Sequence, residues 1–256
     1  TYKGITLKGF RIRQDSLPNG TEERQNSLLD LVSLGTSLFR SLTNKEAFNF
    51  RYLIDSFGLG LIENSKQQLM DICGYRLDCF GFINMPSMKQ FRLSSSPSFV
   101  DNEGVLKTEF IAQGGDIDNN PSFLYSFGQG PGTSCVGYFA PYVISNDNGR
   151  PTPIPPAMFV ATTYMQKLNS NISTIVPWTI AAGVNNGRIT NIAGLEMEFT
   201  SDDIVNLNLA KMNPIVIKKG RGFVIETENT AETLYTSALS FIHVREMLIE
   251  LEDALS

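Results

Sequence analysis

The arrangement of residues 50–85 constrains the fold of this chain more than any other part of the sequence. The aromatic and branched run Phe50–Phe57 predicts a strand that stops at Gly58, and the run Cys79–Met85 predicts a second strand that is closed by Pro86. A short helix is predicted between them, near residues 63–73. Two strands joined through a helix are parallel with a right-handed crossover, so this pattern predicts an α/β fold.

Further apolar segments extend this prediction to a mixed sheet with flanking helices. Strands are predicted over residues 123–127, 136–145, 215–217 and 223–225. A turn over residues 146–149 follows the second of these strands. Pro155 and Pro156 favour the start of a helix that runs to Lys167, because proline at the first helical position gives up no hydrogen bond. The run Ser201–Asp203 is expected to cap a short helix.

The last part of the chain predicts a hairpin followed by an amphipathic helix. The glycines of Lys218–Gly222 allow the positive φ that the turn between the two strands requires. After Asn229 and Thr230 the chain is expected to enter a helix with one apolar stripe. This stripe consists of Phe241, Val244, Leu248, Leu251 and Leu255. The opposite face carries Arg245, Glu246, Glu250 and Asp253, and charges on such a face are usually solvated.

The other segments predict long surface loops and an N-terminal region. Residues 1–44 are expected to contribute an edge strand or arm and a helix bent near Gly35. Residues 91–120 are rich in Ser, Asn, Gly and Pro, and are predicted to form a surface loop.

Composition excludes several classes of function. The formal net charge is −5 without a long basic run, so a nucleic-acid partner is not expected. No apolar run is long enough to span a bilayer, and membrane insertion is not expected. Cys73, Cys79 and Cys135 form no CxxC motif and are expected to be reduced and buried, while the single His243 leaves no set of zinc ligands. Neither a metal, a cofactor nor a catalytic set is predicted.

Seven segments of the sequence resemble, in the same order, segments of contractile phage tail sheath proteins of the T4-like and marine myovirus kind. They are Arg51–Asp55, Asn84–Phe91, Phe139–Pro141, Ile154–Pro156, Ala181–Gly183 with Asn186–Arg188, Asn213–Ile215 with Gly220–Gly222, and His243–Arg245. The resemblance covers roughly residues 45–256. It implies a tail-sheath-like core domain whose function is mechanical.

The resemblance implies a subunit of a helical sheath that surrounds an inner tail tube and contracts when the baseplate triggers. The implied partners are copies of the chain itself, the tail tube protein, and the baseplate and tail terminator proteins. The implied location is the virion, with assembly in the host cytoplasm. The energy would lie in the difference between two packings of the same subunit.

In this family N-terminal and C-terminal arms add strands to the sheets of neighbouring subunits. The sequence starts at Thr1 and stops inside a helix after His243–Arg245, so we expect a fragment of a longer protein that lacks both arms. We expect this fragment to be monomeric in solution.

Candidate contact residues lie on the hairpin and on the last helix. Lys218, Lys219 and Arg221 are either a soluble turn or a contact with an acidic patch on the tube or a sheath neighbour. In sheath proteins the C-terminal region lies toward the tube, which favours a contact role for the helix that carries Arg245, Glu246 and Glu250.

Three further residues have structural interpretations. His243 is expected to be a satisfied, partly buried residue. Trp178 is expected to anchor the core, and Arg188, after a tight turn at Asn185–Gly187, to bond carbonyls or a carboxylate across a seam.

Two alternatives remain. One is a sheath subunit of a type VI secretion system or of an extracellular contractile injection particle. The other is an α/β hydrolase that uses Asp55, Asp71 and Asp78, although strand-end aspartates commonly cap turns and no nucleophile elbow is present. The Gly128–Gly132 run lacks the Lys and Ser/Thr of a phosphate loop.

Overall fold

The structure, a computed structural model, describes residues 41–55, 63–85, 132–147, 149–170, 181–209, 211–232 and 237–255. Several predicted features lie outside these residues. They are the N-terminal arm and bent helix within residues 1–40, the loop over 91–120, the strand over 123–127 and Trp178. Among the described helices, none is both long and apolar enough to cross a membrane.

The described residues form nine strands and five α-helices. The strands are β1 Tyr52–Ile54, β2 Phe80–Asn84, β3 Val136–Ala140, β4 Val143–Asp147, β5 Arg150–Ile154, β6 Arg188–Ile189, β7 Gly194–Leu195, β8 Met212–Lys218 and β9 Gly222–Ile225. The helices are α1 Glu63–Arg76, α2 Ala157–Ser170, α3 Gly183–Asn186, α4 Ser201–Leu209 and α5 Ile242–Leu255. Short 3-10 turns cover Thr133–Cys135 and Ala238–Ser240.

A six-stranded mixed sheet in the order β1-β2-β3-β8-β9-β6 forms the centre of the fold. Its first four strands are parallel, and β9 and β6 continue it in antiparallel pairing. Tyr52 of β1 lies opposite Phe80 of β2, with α1 between these strands in the chain. The predicted parallel β-α-β unit, the predicted hairpin of β8 and β9, and the predicted α/β class are confirmed.

The core lies on both faces of the parallel strands, as expected for a sheet that helices cover on two sides. Alternate residues of β2 point to opposite faces: Phe80 and Phe82 pack with α2 and α5, whereas Ile83 packs with α1. Phe82 contacts the rings of Tyr52 and Tyr164 at centroid distances of 5.4 and 5.3 Å. The face that packs on α2 is therefore an aromatic cluster that ties β1, β2 and α2 together.

The prediction of one strand over residues 136–145 is wrong. The sheet strand β3 ends at Ala140, and after Pro141 the chain enters a second, three-stranded antiparallel sheet in the order β5-β4-β7. Proline has no N–H to donate to a sheet ladder, so the ladder is interrupted at Pro141. Asp147 of β4 pairs with Arg150 of β5, so the chain reverses within the predicted turn region, although Asn146 and Asp147 still belong to β4.

Two buried asparagines satisfy backbone groups where the sheet ladder ends. The Nδ2 group of Asn213 donates to the carbonyls of Tyr138 at 3.1 Å and Asn229 at 2.8 Å. Its Oδ1 accepts from the N–H of Asn229 at 2.5 Å and from the hydroxyl of Thr227 at 3.1 Å. At β2, Asn84 accepts from the N–H of Ala157 at 2.7 Å and so holds the start of α2. These amides replace ladder hydrogen bonds that irregular backbone cannot make.

The starts of α4 and α5 differ from the predicted ones. The cap of α4 is Thr200, whose Oγ1 accepts from the N–H of Asp203 at 3.2 Å while the Asp203 carboxylate accepts from the N–H of Thr200 at 2.8 Å. This reciprocal arrangement is a capping box, one residue earlier than expected. The last helix starts at Ile242 and not after Thr230, because residues 226–231 continue along β8 and β3 with backbone hydrogen bonds to Pro214 and Val136.

We predict that Asn213→Ala destabilises the fold by about 2–3 kcal/mol, since it leaves buried backbone groups of Tyr138 and Asn229 without their partner. Urea unfolding followed by circular dichroism measures this difference. Asn185→Ala, at an exposed position of α3, is the matched control and is expected to change stability by less than about 0.5 kcal/mol. Equal unfolding midpoints for the two variants would show that the Asn213 amide is dispensable.

Candidate assembly surfaces

The β8–β9 hairpin presents a basic tip. Gly220 and Gly222 adopt φ values of +75° and +82°, which a residue with a side chain adopts only with strain. Lys219 and Arg221 are exposed on this turn. Lys218 is half-buried, and its Nζ lies 2.8 Å from a carboxylate oxygen of Glu226. The three predicted contact residues therefore share one turn, but one of their charges is already compensated within the chain.

A fourth basic residue lies beside this tip. Arg188 is exposed on the edge strand β6, opposite Val224 of β9. Its Nε lies 4.0 Å from the position that a Cβ on Gly222 would occupy, so its side chain runs next to the hairpin turn. The sequence predicts that Arg188 bonds carbonyls or a carboxylate across a seam; the structure places Arg188 on the surface beside the tip, and the bond stays a prediction. The pairing of β6 with β9 brings Arg188 next to the hairpin turn, and no local pattern in the sequence predicts this pairing.

The orientation predicted for α5 is wrong. Its buried residues are Ile242, Arg245, Glu246 and Ile249. Three residues of the predicted apolar stripe, Phe241, Leu251 and Leu255, are instead 46%, 47% and 87% exposed. The face that was expected to be solvated at Arg245 and Glu246 is inside the protein. Contact of these two residues with a tube or a neighbouring subunit stays a prediction, and their side chains already have partners within the chain.

The buried carboxylate of Glu246 and the partly buried guanidinium of Arg51 attach α5 to the start of β1. The guanidinium of Arg51 donates to Oε2 of Glu246 from Nε at 3.1 Å and from Nη2 at 2.5 Å, and the Tyr52 hydroxyl donates to the same oxygen at 3.2 Å. Arg51 also pairs with Glu250, one helical turn later. The buried carboxylate of Glu246 is thus paired, and without these partners its burial would destabilise the fold.

Burial and attraction compete in this pair. Burial raises the pKa of Glu246 above its usual range, and the charge and hydrogen bond of Arg51 offset this only in part. At Arg51, burial lowers the pKa, but the attraction of Glu246 and its hydrogen bond outweigh burial and leave the pKa above its ordinary value. Burial therefore disfavours the charged form of Glu246 more than Arg51 favours it, while Arg51 stays charged.

Further contacts place α5 across the amino-terminal ends of the parallel strands. Arg245 donates to the carbonyl of Leu77, which lies between α1 and β2. The helix also packs against the turn Thr133–Cys135 that precedes β3. Burial raises the pKa of the Cys135 thiol, while the nearby charges of Arg245 and Glu252 lower and raise it, respectively. Together with Arg51 before β1, these contacts span the starts of three strands.

His243 contacts Glu228 at the beginning of α5. Its Nδ1 pairs with Oε1 of Glu228, and its side chain is 28% exposed. The expectation of a satisfied, partly buried histidine is confirmed. Burial raises the pKa of Glu228, and the charge and hydrogen bond of His243 counteract this increase.

The carboxylates considered for hydrolysis do not converge. Asp55 follows β1 and accepts from the N–H of Asn84 at 3.0 Å, whereas Asp78 precedes β2 and pairs with Arg76 at 2.8 Å. Because β1 and β2 are parallel, these two carboxylates lie at opposite ends of the sheet. Asp71 is exposed on α1. The three cysteines are free and buried, as expected, and no group of metal-ligating residues occurs within the described parts of the chain.

The fold is similar to that of a chain in the anti-feeding prophage (AFP) baseplate in its contracted state. The TM-score is 0.63 at 13% identity, over 93% of this chain and 56% of that chain. Chains of the PVC sheath complex of an extracellular contractile injection system and of the AFP helical sheath, both contracted, give TM-scores of 0.47 and 0.44 at 14% and 16% identity. The match to the PVC sheath chain covers 69% of this chain and 39% of that one, and the match to the AFP sheath chain covers 73% of this chain and 41% of that one. The chain thus spans about half the length, or less, of these similar structures.

No protein-family model and no curated protein sequence matches the chain.

We predict that Glu246→Gln changes the pH dependence of stability. The ordinary pKa of the carboxyl is 4.5, and burial raises it in the folded chain. As the pH falls through the raised folded value, the folded chain binds a proton before the unfolded chain does, so wild-type stability increases and the gain is complete below 4.5. The variant lacks this titration while it keeps an oxygen acceptor for Arg51 and Tyr52.

The stability of Glu246→Gln minus that of the wild type should therefore become more positive as the pH rises from about 4.5 to neutrality. Urea unfolding at both pH values measures this difference. Glu252→Gln, at an exposed carboxyl of the same helix, is the matched control and should change stability by less than about 0.5 kcal/mol. A difference for Glu246→Gln that is constant with pH would contradict a raised folded pKa.

Proposed function

We propose that this chain is the core domain of a contractile sheath subunit, which surrounds a tail tube and shortens to drive that tube through a cell envelope. The observation that carries the proposal is the similarity of fold, at a TM-score of 0.63 over 93% of the chain, to a component of a contracted AFP baseplate. The subunit works by changing its packing against other copies, and no substrate is converted.

The positions of the sheath-like segments in the fold support this proposal. Asn84 and Asn213 lie inside two of these segments and make the buried hydrogen bonds that end β2 and brace β8. Gly220–Gly222 forms the hairpin turn, and His243–Arg245 docks the start of α5. The resemblance in sequence therefore falls on residues that determine the backbone path, which is expected when two chains share a fold.

The outward face of α5 is the surface that we assign to the tail tube. Apolar side chains are exposed at both ends of the helix, at Phe241 just before its first residue and at Leu251 and Leu255 in its last turns. Exposed apolar surface of this kind is typical of a protein–protein contact. The charged anchor at Arg51 and Glu246 holds the helix to the sheet from its other side, so these exposed side chains can contact a partner while the subunit stays folded.

Among contractile systems we propose a phage tail as the source, with the virion as the location and the baseplate and tail terminator proteins as further partners. The order of the sequence segments resembling myovirus sheaths supports a phage. The alternatives are a type VI secretion system and an extracellular injection particle. Neighbouring genes distinguish a phage from these alternatives, because capsid genes accompany a phage tail and secretion genes accompany a secretion system.

We predict that the intact gene product containing these 256 residues assembles into hollow tubes without its tube protein, as sheath proteins do when they form polysheaths. Negative-stain electron microscopy and sedimentation of the purified product measure this assembly. The isolated 256-residue chain is the control and is expected to remain monomeric by mass measurement. An intact product that stays dispersed at all concentrations and salt conditions, or that turns over a small molecule, would contradict the proposal.

A further inference from the structure

The basic tip and the helix α5 lie at opposite corners of the six-stranded sheet. The parallel strands start at α5, and β8 ends at Lys218, six residues beyond the level where Met212 pairs with Tyr138 of β3. With a rise of about 3.3 Å per residue, the tip lies about 20 Å from that level. It is also displaced sideways from β1 by several strand spacings of about 4.8 Å. The two corners therefore cannot contact each other within one chain.

The charges of the two corners have opposite sign. Arg188, Lys219 and Arg221 are exposed around the tip, and within the described residues none of them forms an ion pair. The chain has a formal net charge of −5, and these three residues contribute +3, so all other residues together carry −8. At the α5 corner the three carboxylates of Glu246, Glu250 and Glu252 outnumber the guanidinium groups of Arg51 and Arg245, and Glu252 is exposed. A second copy of the chain is thus an acidic partner for the tip.

We propose that the corner formed by Arg188, Lys219 and Arg221 docks on the Glu252 side of α5 in a second copy of this chain. This contact is heterologous, since it joins two different surfaces. When the rotation between copies does not close a ring, heterologous contacts repeat into an open helix. The inference rests on the proposed function, because it describes how copies of the sheath subunit meet.

The position of Glu252 makes this contact compatible with a tube bound at the outward stripe. Glu252 follows Leu251 by one residue, which rotates its side chain by about 100° around the helix axis. It lies on the flank of α5, between the exposed stripe and the buried face that holds Arg245 and Ile249. One helix can therefore contact two different neighbours.

Charge reversal in the intact gene product tests the proposal. Arg221→Glu and Arg188→Glu should each raise the lowest protein concentration at which tubes form by about five- to tenfold, because attraction becomes repulsion at every repeat of the contact. Arg150→Glu, an equal reversal at an exposed strand residue of the other sheet, is the matched control and should change that concentration by less than about twofold. Sedimentation measures the concentration and electron microscopy identifies the tubes.

Combining Arg221→Glu with Glu252→Arg identifies the partner surface. Restored assembly supports docking on α5 of a second copy, and loss of assembly without any rescue overturns it. Tubes that form equally well with Arg221→Glu also overturn this contact while leaving the proposed function intact. A wild-type product that forms no tubes instead contradicts the proposed function itself.

Discussion

The fold depends on satisfying backbone polar groups at the ends of a parallel sheet that is buried on both faces. These positions are buried, so each N–H and carbonyl that the ladder leaves over needs a hydrogen-bond partner. Asn213 provides three such hydrogen bonds, and a fourth to the Thr227 hydroxyl, at the place where β8 leaves β3 and residues 226–231 return beside it. This amide links the parallel half of the sheet to the hairpin, and it therefore fixes where the basic tip points.

The same requirement explains why α5 turns charged residues inward. Arg245 and Glu246 find a carbonyl and a guanidinium at the starts of β2 and β1, where backbone and side-chain polar groups are already concentrated. An apolar residue at position 245 would remove the hydrogen bond to the Leu77 carbonyl, and one at position 246 would leave Arg51 with Glu250 as its ion-pair partner. The helix is therefore docked through two isoleucines and two charged residues, and part of its most regular apolar stripe is exposed.

Local patterns in the sequence predicted the elements, and nonlocal contacts determined the rest. The parallel unit of β1, α1 and β2 and the hairpin of β8 and β9 follow from apolar runs bounded by glycine and proline, and the structure confirms both. The outward stripe of α5 could not be predicted, because helical periodicity cannot identify charges whose partner, such as Arg51, lies almost 200 residues earlier in the sequence. The proximity of Arg188 to the hairpin likewise depends on the pairing of β6 with β9.

A subunit with oppositely charged corners on a rigid sheet can form a lattice whose individual contacts are weak. A few exposed ion pairs contribute only about 1 kcal/mol each, which is too little to hold two isolated copies together. In a helical assembly this free energy is added once per subunit. Because the free energy of each contact is small, neighbouring subunits can exchange one arrangement for another. The fixed distance between Arg221 and Glu252 within a subunit would then relate the rotation of each copy to that of its neighbour. Exposed charge is suited to such a contact, since a large apolar interface would be costly to separate during contraction.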